Sequence, residues 1–383
     1  MKDRLSAPVF FEFFAGGGMA GLGLGENWRC AFANDIDPQK AAAFQENFPH
    51  TPFKLCDIGA LTSNDLPQIK PDLAWASFPC QDLSLAGARN GLHGTSSGAF
   101  FAFWRLMTEH RGRGCAPRCV IIENVTGLLS SAGGRDFSTL ISLIAEAGYA
   151  PSALVLDAKS FSPQSRPRIF IFAFDAALAH AVTRLEEPPD HDAAAPRALQ
   201  SAVSALPKQA RDKWVWLAAR PPETTGETLE TIIDQSAPWA QREATRALVA
   251  AMGSKQRARL RAMEEGATFS FGAGYRRIRI ENGCKVQRFE ARFDGLAGCL
   301  RTPAGGSSRQ FLVRAGSGRI DTRLMTPREA ARLMGLPEAY ALPKSKTAAL
   351  KLCGDGVSAP VVSWIARAIL EPAMSANLQR DAA

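Results

Sequence analysis

The step Pro79-Cys80-Gln81 is followed, 43 residues beyond the cysteine, by Glu123-Asn124-Val125; 41 residues beyond that glutamate comes Gln164-Ser165-Arg166-Pro167-Arg168. Each set borders a short apolar run that reads as a strand. A lone cysteine is more often a small buried hydrophobe than a nucleophile. Here a thiol able to attack, a carboxyl able to move a proton and a pair of guanidiniums stand in one order, which points to covalent chemistry on a base.

The elements that must hold these groups alternate. Runs Val9–Phe14, Arg29–Asn34, Asp72–Ser77, Cys119–Glu123 and Arg168–Phe174 are interleaved with helix-compatible stretches such as Ala99–His110 and Phe137–Ala147, and Asp37 is placed to cap a helix beginning at Pro38. That alternation predicts an α/β fold with a doubly wound, mostly parallel, Rossmann-like sheet, whose chemistry gathers in the loops after the strands.

The first run leads into Ala15-Gly16-Gly17-Gly18-Met19-Ala20-Gly21, in which Gly16, Gly18 and Gly21 match a GxGxxG spacing. Alone this fits a dinucleotide site, another adenosine-bearing cofactor or a tight turn. Asp35, seventeen residues beyond Gly18, could accept the hydrogen bonds of a ribose diol. Asp57 could hold an adenine amino group between Ile36 and Ile58, or merely cap a turn. No Lys-Ser/Thr pair follows the glycines, which argues against a nucleoside-triphosphate loop and leaves NAD or S-adenosylmethionine.

At 383 residues, with a prior of about 150 per domain, two domains are expected. Among the eight cysteines there is no CxxC, and no run has the length of a membrane span, so a soluble, cytoplasmic chain with free thiols is expected. The net charge of +8 is concentrated: Lys255 to Arg323 carries 15 Lys or Arg against six Asp or Glu, among Gly, Ser and aromatics, which predicts a phosphate-tracking surface. In the same region Gln241–Glu265 reads as helix, and Tyr275–Ile280 and Gln310–Val313 as strands. His110, Cys115 and Cys119 lack a fourth ligand and a zinc spacing, so no metal is expected.

With Phe14-Ala15-Gly16-x-Gly18, Phe78-Pro79-Cys80-Gln81, Glu123-Asn124-Val125 and Gln164-x-Arg166-x-Arg168 in order, and then Thr326-Pro327-Arg328-Glu329-Ala330-Ala331-Arg332-Leu333-Met334-Gly335-Leu336-Pro337 and Gly354-Asp355-Gly356-Val357, the chain resembles the DNA cytosine-5 methyltransferases of restriction-modification type. The resemblance implies a class I S-adenosylmethionine-dependent methyltransferase sheet with a second, smaller, variable DNA-recognition domain. The expected division is 1–176 for catalysis and cofactor, 177–343 for target recognition with a hinge block at 323–337, and 344–383 returning to the first domain. It departs from the family at Met19, where a second glycine is usual, and at Asp355, where an amide is usual.

The implied reaction moves a methyl group from S-adenosyl-L-methionine to C5 of a flipped-out cytosine in a short duplex sequence. C5 is too poor a nucleophile unaided, so Cys80 would add at C6 and Glu123 would act at N3. Arg166 would donate a fork to the base carbonyl and Glu123, while Arg168 would tie loops together through carboxylates and Asn124 would hold its loop by backbone hydrogen bonds. The implied cofactor site is Phe14, Ala15, Gly16, Gly18, Met19, Asp35, Ile36, Asp57, Ile58, Pro79 and Asp355. The implied DNA contacts are Gln81, Ser84, Arg89, His93, Gln164, Arg301, Ser307, Ser308 and Arg309, with Asp82–Gly98 composed as a mobile lid. The expected protein is a monomer acting on double-stranded DNA, with any cognate restriction endonuclease working separately. A transfer-RNA cytosine methyltransferase, an NAD oxidoreductase and a non-catalytic DNA-binding relative are the rival readings.

Overall fold

Strand β1 (Val9–Phe13) is apolar at four of its five positions and buried from Phe10 onward, as a central strand covered on both faces requires. In the computed structural model, which describes residues 7–78, 98–184, 187–189, 191–303 and 308–381, it joins a seven-stranded sheet. The others are β2 (Arg29–Asp35), β3 (Phe53–Leu55), β4 (Leu73–Ala76), β5 (Cys119–Val125), β6 (Ala150–Asp157) and β7 (Pro167–Phe174), in the order β3-β2-β1-β4-β5-β7-β6. β1 runs parallel to β2 and β4, and β4 to β5, whereas β7 is antiparallel to β5. The order reverses between β1 and β4, so the carboxyl ends of these strands open onto one crevice.

Helices cover the sheet for legible reasons. The helix Pro38–Asn47 starts at a proline, and the Asp37 carboxylate accepts from the N–H groups of Gln39 and Lys40 at 2.9 and 3.2 Å. Ala99–Gly112 buries Phe100, Phe103, Trp104, Leu106 and Met107, and Arg135–Glu146 buries Phe137, Leu140, Ile141 and Ile144. Each such side chain contributes about 1.5–3 kcal/mol on leaving water. His110 belongs to this core: its Nε2 lies 3.1 Å from the Ile69 carbonyl, its ring packs on Phe11, and burial pushes its pKa down.

The chain forms two compact units, Met1–Leu156 with Pro167–Pro221 and Val361–Ala383, and Asp157–Arg166 with Pro222–Pro360. These divisions differ from cuts at 176 and 343. Residues 177–221 stay with the first unit because they cover the edge of β6. Val155 N–H donates to Ala194 and Val215 N–H to Pro151, while Leu199 and Val203 enter the core and β8 (Thr183–Arg184) pairs with β9 (Trp216–Leu217). Val361, Val362, Ile365 and Ile369 are buried in the first unit, whereas 344–360 belong to the second.

The second unit holds an antiparallel sheet of β10 (Ser270–Glu281), β11 (Cys284–Arg292), β12 (Gln310–Gly316) and β13 (Arg319–Leu324), in the order β11-β10-β12-β13. Asn282 and Gly283, at φ 49° and 76°, make the two-residue turn between β10 and β11 that right-twisted strands prefer. Phe289, Phe311, Val313 and Ala315 pack against Leu248, Met252 and Leu260. The stretch read as one helix, Gln241–Glu265, is two, Arg242–Ala250 and Ser254–Glu264, because the Ala251 carbonyl turns out to accept from Phe289 N–H and Gly253 starts a new helix.

Thr326-Pro327-Arg328-Glu329 forms a capping box with proline at the first helical position. Glu329 is fully buried, accepts from the N–H groups of Asp234 and Thr326 at 2.8 Å each, and takes both terminal nitrogens of Arg323, whose guanidinium lies 4.7 Å from the Trp239 ring centre. Removing one partner strands the other charge in the core. Arg323→Ala is therefore expected to cost about 3–5 kcal/mol in urea unfolding, and a loss below about 1 kcal/mol would contradict the pairing.

Candidate active site

The glycine loop is held by backbone and side-chain contacts together. Ala15 N–H donates to Asn34 at 2.9 Å, Gly18 N–H to Ala15 at 2.8 Å, and Phe14 sits at φ 56° with its ring edge-on to Phe78. Gly18 has φ +76°, and a Cβ there would fall 2.4 Å from the Phe48 ring, so only glycine is accommodated. Asp35 closes the loop: one carboxylate oxygen accepts Gly16 N–H and the other Asp37 N–H, each at 2.8 Å, which leaves lone pairs on both oxygens. Beside it Ile36 is 63% exposed, an unusual position for an isoleucine. Ile58, expected to cover a ligand face, is packed into the core, and so are Ala15 and Met19; the exposed Asp57 caps the turn Ile58–Ala60 through Gly59 N–H.

Sequence reasoning missed Glu12, the one charge in β1. It is 2% exposed, and its two oxygens accept the N–H groups of Ala20 and Gly21 at 3.2 and 3.1 Å, pinning the helix that follows the glycine loop. A Cβ on Gly21 would lie 2.9 Å from that carboxylate, so the third glycine of the motif answers to Glu12. The available signal was a glutamate inside an otherwise apolar strand.

At the end of β5 the register settles which arginine meets Glu123. Glu123 pairs with Phe170 and Val125 with Arg168, so Glu123 and Arg168 share a face on a diagonal. Arg168 Nε lies 3.0 Å from Glu123 Oε1, both side chains largely buried. Asn124 points the other way: its Nδ2 donates to the Phe78 carbonyl at 3.1 Å and its Oδ1 accepts Val125 N–H, tying β5 to the chain that leaves β4.

Arg166 has a different office from the one expected. It precedes β7 and belongs to the second unit, where one terminal nitrogen donates to the Leu300 carbonyl at 3.0 Å and the other to Gly354 and Gly356 at 3.1 and 2.7 Å. Its own N–H donates to Asp157 at 2.7 Å, so the chain turns before Arg166 can extend the strand. Gln164, expected on DNA, is fully buried; its amide donates to Leu333 and accepts from Leu300 N–H, both at 3.3 Å. Asp355 accepts from the Thr302 hydroxyl. Arg301 and Ser308 line a cavity of about 280 Å³ with Tyr275, Glu290, Arg292 and Gln310, and the exposed Arg309 borders a second. Pro79, Cys80, Gln81, Ser84, Arg89, His93 and Ser307 lie outside the described residues.

Burial raises the pKa of Glu12 from the usual 4.5 to about 8, the two backbone N–H groups opposing this only partly. The folded chain therefore holds this proton where the unfolded chain has lost it, and stability falls as pH rises from 4.5 toward 8. In Glu12→Gln that part of the slope should vanish, so the variant gains on the wild type between about pH 5 and pH 8 in urea unfolding. Parallel profiles would contradict a buried, protonated Glu12.

Among the described residues no group of His, Cys, Asp and Glu is arranged to hold a metal. The chain is 25% identical to type II methyltransferase M1.ScrFI of Lactococcus lactis subsp. cremoris, over 97% of this chain and 80% of that one. It is 26% identical to type II methyltransferase M.HpaII of Haemophilus parainfluenzae, over 95% and 89%. Its fold is similar to that of the Dnmt2 methyltransferase of S. pombe, with a TM-score of 0.57 and 17% identity, covering 95% of this chain and 98% of that one. The family model for C-5 cytosine-specific DNA methylases matches residues 9–371, nearly the whole chain; with strand ends that present a glycine loop, an acid on the second strand and a glutamate held by arginine, this protein belongs to the C-5 cytosine-specific DNA methylase family.

Proposed function

We propose that this enzyme methylates C5 of a flipped-out cytosine in one short duplex DNA sequence, using S-adenosylmethionine and a covalent bond from Cys80. The observation that carries the reading is the end of β5, where Glu123 is clamped by Arg168 while Asn124 fixes the carbonyl of Phe78, two residues before Cys80. A carboxyl held at one oxygen keeps the other for N3 and the exocyclic amine of a cytosine, which also rejects thymine. The thiolate of Cys80 adds at C6, and the bond is released when C5 loses its proton. Arg168 positions Glu123 and neutralises the site; Arg166 is structural.

The cofactor fits the first unit. Among the described residues only the Lys40 side chain comes within 4 Å of a Cβ added to Gly16, which leaves room for a ligand against the backbone. Asp35 keeps lone pairs for a ribose diol, and Ile36 offers an uncovered apolar face for an adenine. When bound, S-adenosylmethionine supplies an electrophilic methyl group. Asp35 and Ile36 would orient it, while Phe14 and Phe78 would wall the site. Arg301, Ser308 and Arg309 of the second unit are proposed DNA contacts. The enzyme is proposed to act as a cytoplasmic monomer, apart from any endonuclease.

The test is base-resolution cytosine methylation sequencing of plasmid from cells lacking their own methyltransferases. Marks at one short motif with wild type and none with Cys80→Ala are expected; unmarked DNA despite folded, cofactor-binding wild type would sink the reading. Glu123→Gln and Arg168→Ala should each slow methylation by about 100-fold. Arg166→Ala should instead destabilise the fold by about 3 kcal/mol.

A further inference from the structure

The hairpin of β10 and β11 is longer than the sheet it belongs to. β10 pairs with β12 only from Ser270 to Tyr275, but with β11 from Ala273 to Glu281. Arg276–Glu281 and Cys284–Phe289 therefore run on as a two-stranded ribbon, about 20 Å long at 3.4 Å per residue.

Its two faces have opposite characters. Tyr275, Arg277, Arg279 and Glu281 alternate onto one face with Glu290, Arg288 and Val286, and there the charges pair: Arg277 and Arg279 with Glu290, Arg288 with Glu281. The other face carries Arg276, Ile278 and Ile280 opposite Phe289, Gln287 and Lys285, with no carboxylate at all. Within the sheet this face is the one packed against helices through Phe289, and among the described residues the ribbon beyond Phe289 is open at its isoleucines. Ile278 is 60% exposed and Ile280 76% exposed. A solvated arm would carry polar residues on both faces; this one exposes Lys285, the Gln287 amide and two branched apolar groups on one side, with Arg276 lying 5.2 Å from the Phe311 ring centre at the root of the ribbon.

We infer that the β10–β11 ribbon is a duplex-DNA contact arm, its Arg276, Ile278, Ile280, Lys285 and Gln287 face laid against a groove. A two-stranded ribbon fits the width of the major groove. Lys285 and Arg276 match phosphates, the Gln287 amide matches an adenine edge, and the isoleucines match thymine methyl groups. Charge decides against a protein surface of mixed sign, because this face offers cations and no acid. The inference rests on the DNA reading above and adds a separate contact, on the face opposite the one where Tyr275 and Glu290 line the Arg301 cavity.

The experiment measures binding of the full chain to a random-sequence duplex pool across a salt series, for wild type, Lys285→Ala and Ile278→Ser/Ile280→Ser. Lys285→Ala should weaken binding several-fold and lower the salt slope by about one. The double serine variant should weaken it by about tenfold with the slope kept. Unchanged melting temperature and S-adenosylhomocysteine affinity report that both variants are folded. Wild-type duplex affinity in both variants overturns the arm while sparing the enzyme reading; a wild type that binds no duplex overturns both. A concentration-dependent dimer that the serine variant dissolves, with DNA affinity intact, would reassign the face to a second copy of the chain.

Discussion

The site depends on one strand running the wrong way. β7 lies antiparallel beside β5 in a sheet whose pairings from β3 to β5 are parallel, and only that direction sets Arg168 diagonal to Glu123 on a common face. Were β7 shifted by one residue, Arg168 would cross to the opposite face and the glutamate would be left as a buried, uncompensated acid. The pairing is thus maintained by the whole apolar register of Ile169–Phe174 rather than by the two charges, and the core of the first unit fixes the geometry of its chemistry.

Two arginines two residues apart serve separate structures. Arg168 holds a carboxylate at a strand end, whereas Arg166 spends its guanidinium on backbone carbonyls of the second unit. Gln164 does the same with its amide. The proline between the arginines marks the change of allegiance, since the strand begins there and the chain before it is drawn off by Asp157.

Fold class and family were legible in the sequence, because continuous apolar runs and ordered motifs speak to both, and the match over residues 9–371 agrees. A carboxylate partner for Arg168 was legible, whereas the backbone partners of Arg166 were not. Spacing places Arg166 and Arg168 on one face of any extended strand, and only the bend at Asp157 separates them. For Asp57 the sequence left an adenine contact and a turn cap both open, and it is exposed and caps a turn, while Asp35 is enclosed by the glycine loop. Unit boundaries were misplaced because Pro-rich stretches resemble linkers, although hydrogen bonds to β6 keep 177–221 in the first unit. The helix Gln241–Glu265 was overextended because periodicity alone does not register a carbonyl recruited by a distant strand.

The chain passes between its units four times, at 156, 166, 221 and 360, and the ten-residue visit from 157 to 166 is anchored on main-chain oxygens of Leu300, Leu333, Gly354 and Gly356. A main-chain acceptor asks only for a local path and is indifferent to the side chain it belongs to. The attachment of this segment within the second unit therefore places few demands on residue identity in 222–360 outside Gly354, where a Cβ would lie 2.5 Å from the Arg301 backbone. That stretch is free to drift in composition, and so to acquire new sequence tastes, without loosening its moorings.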